Sequence, residues 1–150
     1  MIPASLLKEI YFFSNFDQEE LGSIQQISDS QDYANDEIVF KEGDEASRLF
    51  LIASGSLSIQ KDGKEVARIH KGETFGEMPF LDGGNRSATV LSLAKSELVE
   101  ISYRKLSTVL LNNPEIALKF YIIFAKHLSK RLRATTEGYQ RAKDFLHKHF

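Results

Sequence analysis

Between Ile38 and Ser102 the apolar residues come in short runs broken every few positions by turn chemistry. That rhythm restricts the fold more than any other feature. Ile38-Val39-Phe40, Leu49 to Ile59, Val66 to Ile69, Ala88 to Leu93 and Leu98 to Ser102 read as strands, the period changing to two from Tyr33. The breaks are Glu42-Gly43-Asp44, Ser54-Gly55, Asp62-Gly63 and Lys71-Gly72, residue types whose backbone suits tight reversals. Many short strands at close spacing predict a mainly β fold, an antiparallel jelly-roll barrel of roughly eight strands.

Helical spacing flanks this region. Leu6, Leu7, Ile10, Tyr11 and Phe13 predict one short helix over residues 5–13. Asp17 followed three positions later by Glu20 is a helix-start signature, and Leu21, Ile24 and Ile27 continue its apolar face. The helical pattern fades at Ser28-Asp29-Ser30. Residues 104–112 predict a short helix that stops before Pro114, which then opens a long one. Ile116, Phe120, Ile123, Phe124, His127, Leu128 and Leu132 form a stripe, widened by Leu118, Tyr121, Ile122 and Ala125. A helix apolar on more than one side has a second surface to cover besides the barrel. Gly138 is expected to end or bend it. The 150 residues thus make one domain, large enough to bury a sizeable core. It divides into N-terminal helices (1–32), barrel (33–103) and C-terminal helices (104–150).

Within the barrel, residues 75–90 carry the chemistry. Gly76 lets backbone approach a ligand without a Cβ in the way. Glu77 beside it offers a carboxylate that accepts from hydroxyls. Met78 and Pro79 open a short helical turn. Gly83-Gly84 permits a reversal, and Arg86 returns a fork-shaped cation to the same place. An acceptor for hydroxyls beside a cation suits a ligand with a sugar and a phosphate close together. The bland alternative, a surface hairpin in which Glu77 and Arg86 pair with each other, explains neither Gly76 nor the spacing.

Phe75, Gly76, Glu77, Met78, Arg86, Ser87 and Ala88, with this Glu-to-Arg spacing, resemble the phosphate cassette of the cyclic nucleotide-binding domain family. That family includes catabolite-activator-type regulators, kinase regulatory subunits and nucleotide-gated channels. Glu42-Gly43-Asp44 through Leu49–Ile52 to Gly55-Ser56-Leu57 is similar to its front-half signature. The resemblance implies Glu77 on the ribose 2′-hydroxyl, Arg86 on the cyclic phosphate, and Ser87 in support. Similarity to bacterial Arg-Ser-Ala cassettes implies cAMP ahead of cGMP, bound without chemistry, so the chain is not an enzyme. Val66 and Ile69 fall where similar proteins contact the purine, though ordinary barrel core explains them equally well. Arg131, Leu132, Thr135 and Thr136 sit roughly where relatives cap the base, or else form a solvated face. Pro79 departs from the family: many relatives place an amide there that donates to phosphate, and proline has none. Asn85 replaces a proline common in the family and suits a turn.

The resemblance also implies a homodimer through the 114–136 helix and transmission of ligand occupancy to an effector protein by the C-terminal helices. A barrel that has lost nucleotide binding and serves as a dimerisation or docking module is the alternative, and Pro79 favours it. Net charge is −2, and residues 114–150 carry eight Lys or Arg against three Asp or Glu. Catabolite-activator relatives place a helix-turn-helix after this helix, but residues 139–150 cannot supply one, so no direct DNA binding is expected. The absence of cysteine excludes a disulfide framework and thiolate metal sites. It fits a cytoplasmic protein, as does the lack of any run long enough to span a bilayer. His70 and His127 stand apart, and His147 with His149 makes only an adventitious metal pair, so no metal or cofactor is expected.

Overall fold

The computed structural model describes residues 2–149. The chain begins with helix α1 (Ala4–Lys8), a 3-10 turn (Tyr11–Phe13) and helix α2 (Gln18–Gln26). The single helix expected over residues 5–13 is therefore broken, with Ile10 extended at φ −82 and ψ 120. The extended residue at Ile10 redirects the chain, so that the 3-10 turn after it lies against the helical layer. Phe12 and Phe13 are buried there, together with Ile10. α2 starts where Asp17 and Glu20 predicted. Glu20 N donates to Asp17 Oδ1 at 2.8 Å and Asp17 N donates to Glu20 Oε1 at 2.9 Å.

Among the described residues eight strands form two antiparallel sheets of four. The first orders β1 (Ser28–Tyr33), β8 (Ser96–Ser102), β3 (Arg48–Ser54) and β6 (Thr74–Phe75). The second orders β2 (Ile38–Phe40), β7 (Thr89–Ser92), β4 (Ser56–Lys61) and β5 (Lys64–His70). This is the expected jelly roll, but its first strand starts at Ser28, five residues before the change of period at Tyr33. β1 pairs along the whole of β8 while exposing most of its side chains. An edge strand with little apolar surface shows no alternation to read, and its aspartates discourage further strand pairing.

β3 carries five consecutive buried residues, Leu49 to Ala53. Leu49, Leu51 and Ala53 face the helices, whereas Phe50 and Ile52 face the barrel interior with Leu57, Ile69, Phe75, Val90 and Leu98. A strand covered on both faces has a continuous apolar run. Helix α4 (Tyr103–Asn112) and helix α5 (Pro114–His149) complete the helical layer. Phe12 is its hub, with ring centroids 5.0 Å from Phe120, 5.1 Å from Phe13 and 5.5 Å from Phe124. α5 continues through Gly138 to His149, so that glycine does not end it, and residues 139–149 extend the same helix rather than forming new ones. A glycine inside a helix costs about 1 kcal/mol relative to alanine, too little to stop one anchored elsewhere. No helix is long and apolar enough to cross a membrane, and no three His, Asp or Glu among the described residues come together as metal ligands.

Asp17→Ala removes one half of a formed capping box. We expect a loss of about 0.5–2 kcal/mol in unfolding free energy by urea titration; an unshifted midpoint would show that the box contributes nothing.

Candidate functional site

The cassette is built outward from β6. Phe75 pairs with Phe50 of β3, and the two rings stack at 4.8 Å and 8°. That seats Gly76 against β3 at φ +77, a left-handed conformation that disfavours a side chain. A Cβ there would also lie 2.8 Å from Arg86 Nη1. The short helix α3 (Met78–Asp82) follows and ends on Gly83 in the left-handed region. The chain then returns to Gly43-Asp44: Arg86 N donates to Asp44 O at 2.9 Å, and Gly43 N donates to Arg86 O at 2.8 Å. The turn residues of the barrel's front half thus hold the cassette's cation.

Arg86 is 6% exposed. Its Nη1 donates to Gly76 O at 3.0 Å and to Tyr103 Oη at 3.2 Å, and its Nη2 donates to Arg48 O at 2.6 Å. The guanidinium carbon lies 4.0 Å from the Phe40 ring centroid. Among the described residues no carboxylate forms an ion pair with it. Burial lowers its pKa, and the neighbouring Tyr103 partly offsets this, but arginine remains a cation at neutral pH. A guanidinium has five N–H donors. Nε and one N–H of Nη2 make no hydrogen bond among the described residues, while Nη1 serves two closely spaced acceptors and Nη2 one.

Glu77 is 1% exposed and pairs not with Arg86 but with the long helix. Arg131 Nη1 donates to Glu77 Oε1 at 2.7 Å, and Arg131 Nη2 donates to Thr74 O at 2.9 Å. The hairpin alternative is therefore not what forms. Glu77 Oε2 and Thr74 Oγ1 are buried without a hydrogen-bond partner. Buried polar atoms are rarely left orphaned, so these two are exceptions among the described residues.

Phe75, Gly76, Glu77, Arg86 and Arg131 thus come together around one loop. Met78 and Ser87 beside them are exposed and Ala88 is half-buried. Val66 is 60% exposed on β5, whereas Ile69 is packed in the barrel interior. Leu132, Thr135 and Thr136 lie on the exposed surface of α5, and Thr135 Oγ1 donates to Arg131 O at 3.0 Å. Arg131, which falls roughly where relatives cap the base, pairs with the Glu77 carboxylate. Pro79 is buried near the start of α3. Sequence reasoning missed Thr74, Phe40, Arg48 and Tyr103. Arg48 contributes through its carbonyl, which any residue possesses; an aromatic residue opening a helix directly after a strand was the available signal for Tyr103.

Fold and cassette together define a jelly-roll ligand-binding domain flanked by helices. Residues 30–113 match the family model for the cyclic nucleotide-binding domain, and the chain belongs to that family. It is 27% identical over 118 residues to a putative potassium channel protein of Rhodopseudomonas palustris, covering 77% of this chain and 29% of the channel. It is 29% identical over 111 residues to the cAMP-activated global transcriptional regulator CRP of Salmonella typhimurium, covering 70% of this chain and 51% of the regulator. The chain therefore spans about half or less of the curated relatives it matches. Among solved structures, a cyclic nucleotide-binding domain from Methylobacillus flagellatus superposes with a TM-score of 0.81 at 23% identity, over 89% of this chain and 81% of that one. The Thermus thermophilus catabolite activator protein superposes with a TM-score of 0.71 at 27% identity, over 86% of this chain and 61% of that one.

Arg131→Met leaves Glu77 buried without its cation while keeping the bulk of the side chain. The expected loss is about 1–3 kcal/mol of stability, read from urea unfolding without ligand. Equal stability of the two proteins would mean that the ion pair holds nothing in place.

Proposed function

We propose that this chain is a regulatory module that binds a cyclic mononucleotide, cAMP ahead of cGMP, and passes occupancy on through its C-terminal helices. The observation that carries this reading is Arg86, a cation buried to 6% exposure with no carboxylate partner and with Nε and one N–H of Nη2 uncommitted. A buried charge without a counter-ion is costly, and a bound phosphate would remove that cost. The unpartnered Glu77 Oε2 supplies the acceptor that a ribose hydroxyl needs. Together they call for a small ligand with phosphate and hydroxyl held close, the chemistry of a 3′,5′-cyclic nucleotide. The preference for cAMP rests on the Arg86-Ser87-Ala88 sequence and on the cAMP-activated regulator among the relatives.

Transmission follows from Arg131, which joins α5 to the cassette through the same carboxylate. A hydroxyl on Oε2 draws charge from Oε1 and so changes the strength of the α5 contact. Ligand therefore biases the position of the helix, a shift in population rather than a chemical step. The outer face of α5 keeps Leu118, Tyr121, Ile122 and Leu132 exposed, the surface through which a homodimer or an effector protein would dock. The module acts by binding, without chemistry of its own, in a reducing compartment such as the cytosol.

Isothermal calorimetry with cAMP and cGMP tests the reading. Arg86→Ala should cost about 2–5 kcal/mol of binding free energy, as removal of one partner of a buried charge pair does. Pro79→Ala, which restores an amide to α3, should strengthen binding by up to about 1.5–3 kcal/mol. Should the unmodified protein give neither heat nor a thermal shift with millimolar nucleotide, the barrel is a docking module and the sensor reading is wrong.

A further inference from the structure

The side chain of Tyr103 belongs to no part of the cassette by sequence, yet it closes the ring of contacts around the cation. Its hydroxyl accepts from Arg86 Nη1 at 3.2 Å and donates to the carbonyl of Gly76, the same carbonyl that Arg86 Nη1 contacts at 3.0 Å. Its backbone belongs to the helical layer: Tyr103 opens α4, and its N–H donates to Ser47 O at 2.8 Å. Its ring packs on Phe80 of α3, with centroids 5.3 Å apart. One residue thus touches the cassette's glycine, its short helix and its arginine while forming the first residue of the helix behind them.

The chemistry of this partner matters as much as its place. A carboxylate there would hold Arg86 equally well but would neutralise it, and a neutralised guanidinium attracts phosphate weakly. A phenol fixes the group and leaves its charge for the ligand. Burial raises the Tyr103 pKa despite the opposing effect of Arg86, so the hydroxyl stays protonated and keeps its donor on Gly76. Nη1 faces Gly76 O and Tyr103 Oη and Nη2 serves Arg48 O, so Nε and the other N–H of Nη2 are uncommitted.

Building on the assignment of Arg86 to phosphate, we propose that Tyr103 is a positioning residue of the phosphate site. It pins the guanidinium without cancelling its charge, and it ties that guanidinium to the first turn of α4. Phosphate at Arg86 then acts on α4 directly, by a route separate from the Glu77–Arg131 contact with α5.

The test compares Tyr103→Phe with the unmodified protein. Phenylalanine keeps the ring on Phe80 and removes only the hydroxyl, and a thermal melt run alongside establishes that the variant is folded. Binding is measured for cAMP, for 2′-deoxy-cAMP and for the Sp and Rp phosphorothioates, which replace one phosphate oxygen or the other. The variant should bind cAMP about tenfold more weakly, the equivalent of one hydrogen bond to a charged group. Its Sp-to-Rp affinity ratio should move towards one, while the factor lost on removing the 2′-hydroxyl stays as in the unmodified protein. At saturating cAMP, ligand-induced hydrogen-exchange protection of residues 103–112 should fall in the variant. Equal cAMP affinity in both proteins overturns the proposal. So does a uniform weakening of all four ligands with the Sp-to-Rp ratio unchanged, because a purely structural hydroxyl would act that way. If the unmodified protein binds none of the four, it is the assignment of Arg86 to phosphate that fails, and this proposal falls with it.

Discussion

The guanidinium of Arg86 is taken out of water without a counter-charge, and much of the surrounding structure exists to make that tolerable. Its three hydrogen bonds go to groups from three separate segments: the carbonyl of Gly76, the carbonyl of Arg48 at the start of β3, and the phenol of Tyr103 at the start of α4. Phe40 of β2 covers its face. Hydrogen bonds to a charged group contribute about 1.5–3 kcal/mol each, and a cation over an aromatic ring about 0.5–2 kcal/mol. Together these offset desolvation in part without neutralising the charge. Gly76 has no Cβ because Arg86 occupies that space, and the Phe50–Phe75 stack fixes Gly76 to the sheet. Displacing any of these pieces would loosen the cation first.

Two ion pairs fix the buried part of α5. Near its start Lys119 donates to Glu20, the residue that also closes the capping box of α2, and to the carbonyl of Asn15. One helical stretch further on, Arg131 reaches Glu77 and Thr74. Phe120 and Phe124 lie between these anchors in the aromatic core. The first anchor joins α5 to the N-terminal helices, and the second joins it to the cassette. Anything that alters Glu77 therefore acts on a helix already held at its other end, which favours a change of angle over a translation.

Much of this was legible in the chain itself. The capping box at Asp17 and Glu20, the helix opening at Pro114, and the glycine-punctuated strands all follow from local rules, and each forms as those rules require. The spacing of Gly76, Glu77 and Arg86 marked the cassette because backbone freedom, an acceptor and a cation are seldom combined without a ligand to explain them. What escaped depended on tertiary contacts. β1 is a strand because β8 lies beside it, and its Ser-Asp-Ser-Gln-Asp sequence states no preference. The break at Ile10 turns the segment Tyr11–Phe13 onto the helical core, a placement set by packing against Phe120 and Phe124. The partner of Glu77 lies 54 positions away, too far for any local pattern to reveal. Tyr103 was hidden for a similar reason: its hydroxyl matters only because the fold carries Gly76 and Arg86 to it.

The 36 residues of α5 also have a mechanical meaning. Beyond Arg131 the helix runs on with nearly every described side chain in solvent, a rod of roughly 27 Å at 1.5 Å per residue. A tilt of about 10° at the Glu77 contact would sweep its far end through roughly 5 Å. If the proposed coupling holds, the overhang acts as a pointer that enlarges a small change at the Glu77–Arg131 contact into one a neighbouring macromolecule can feel.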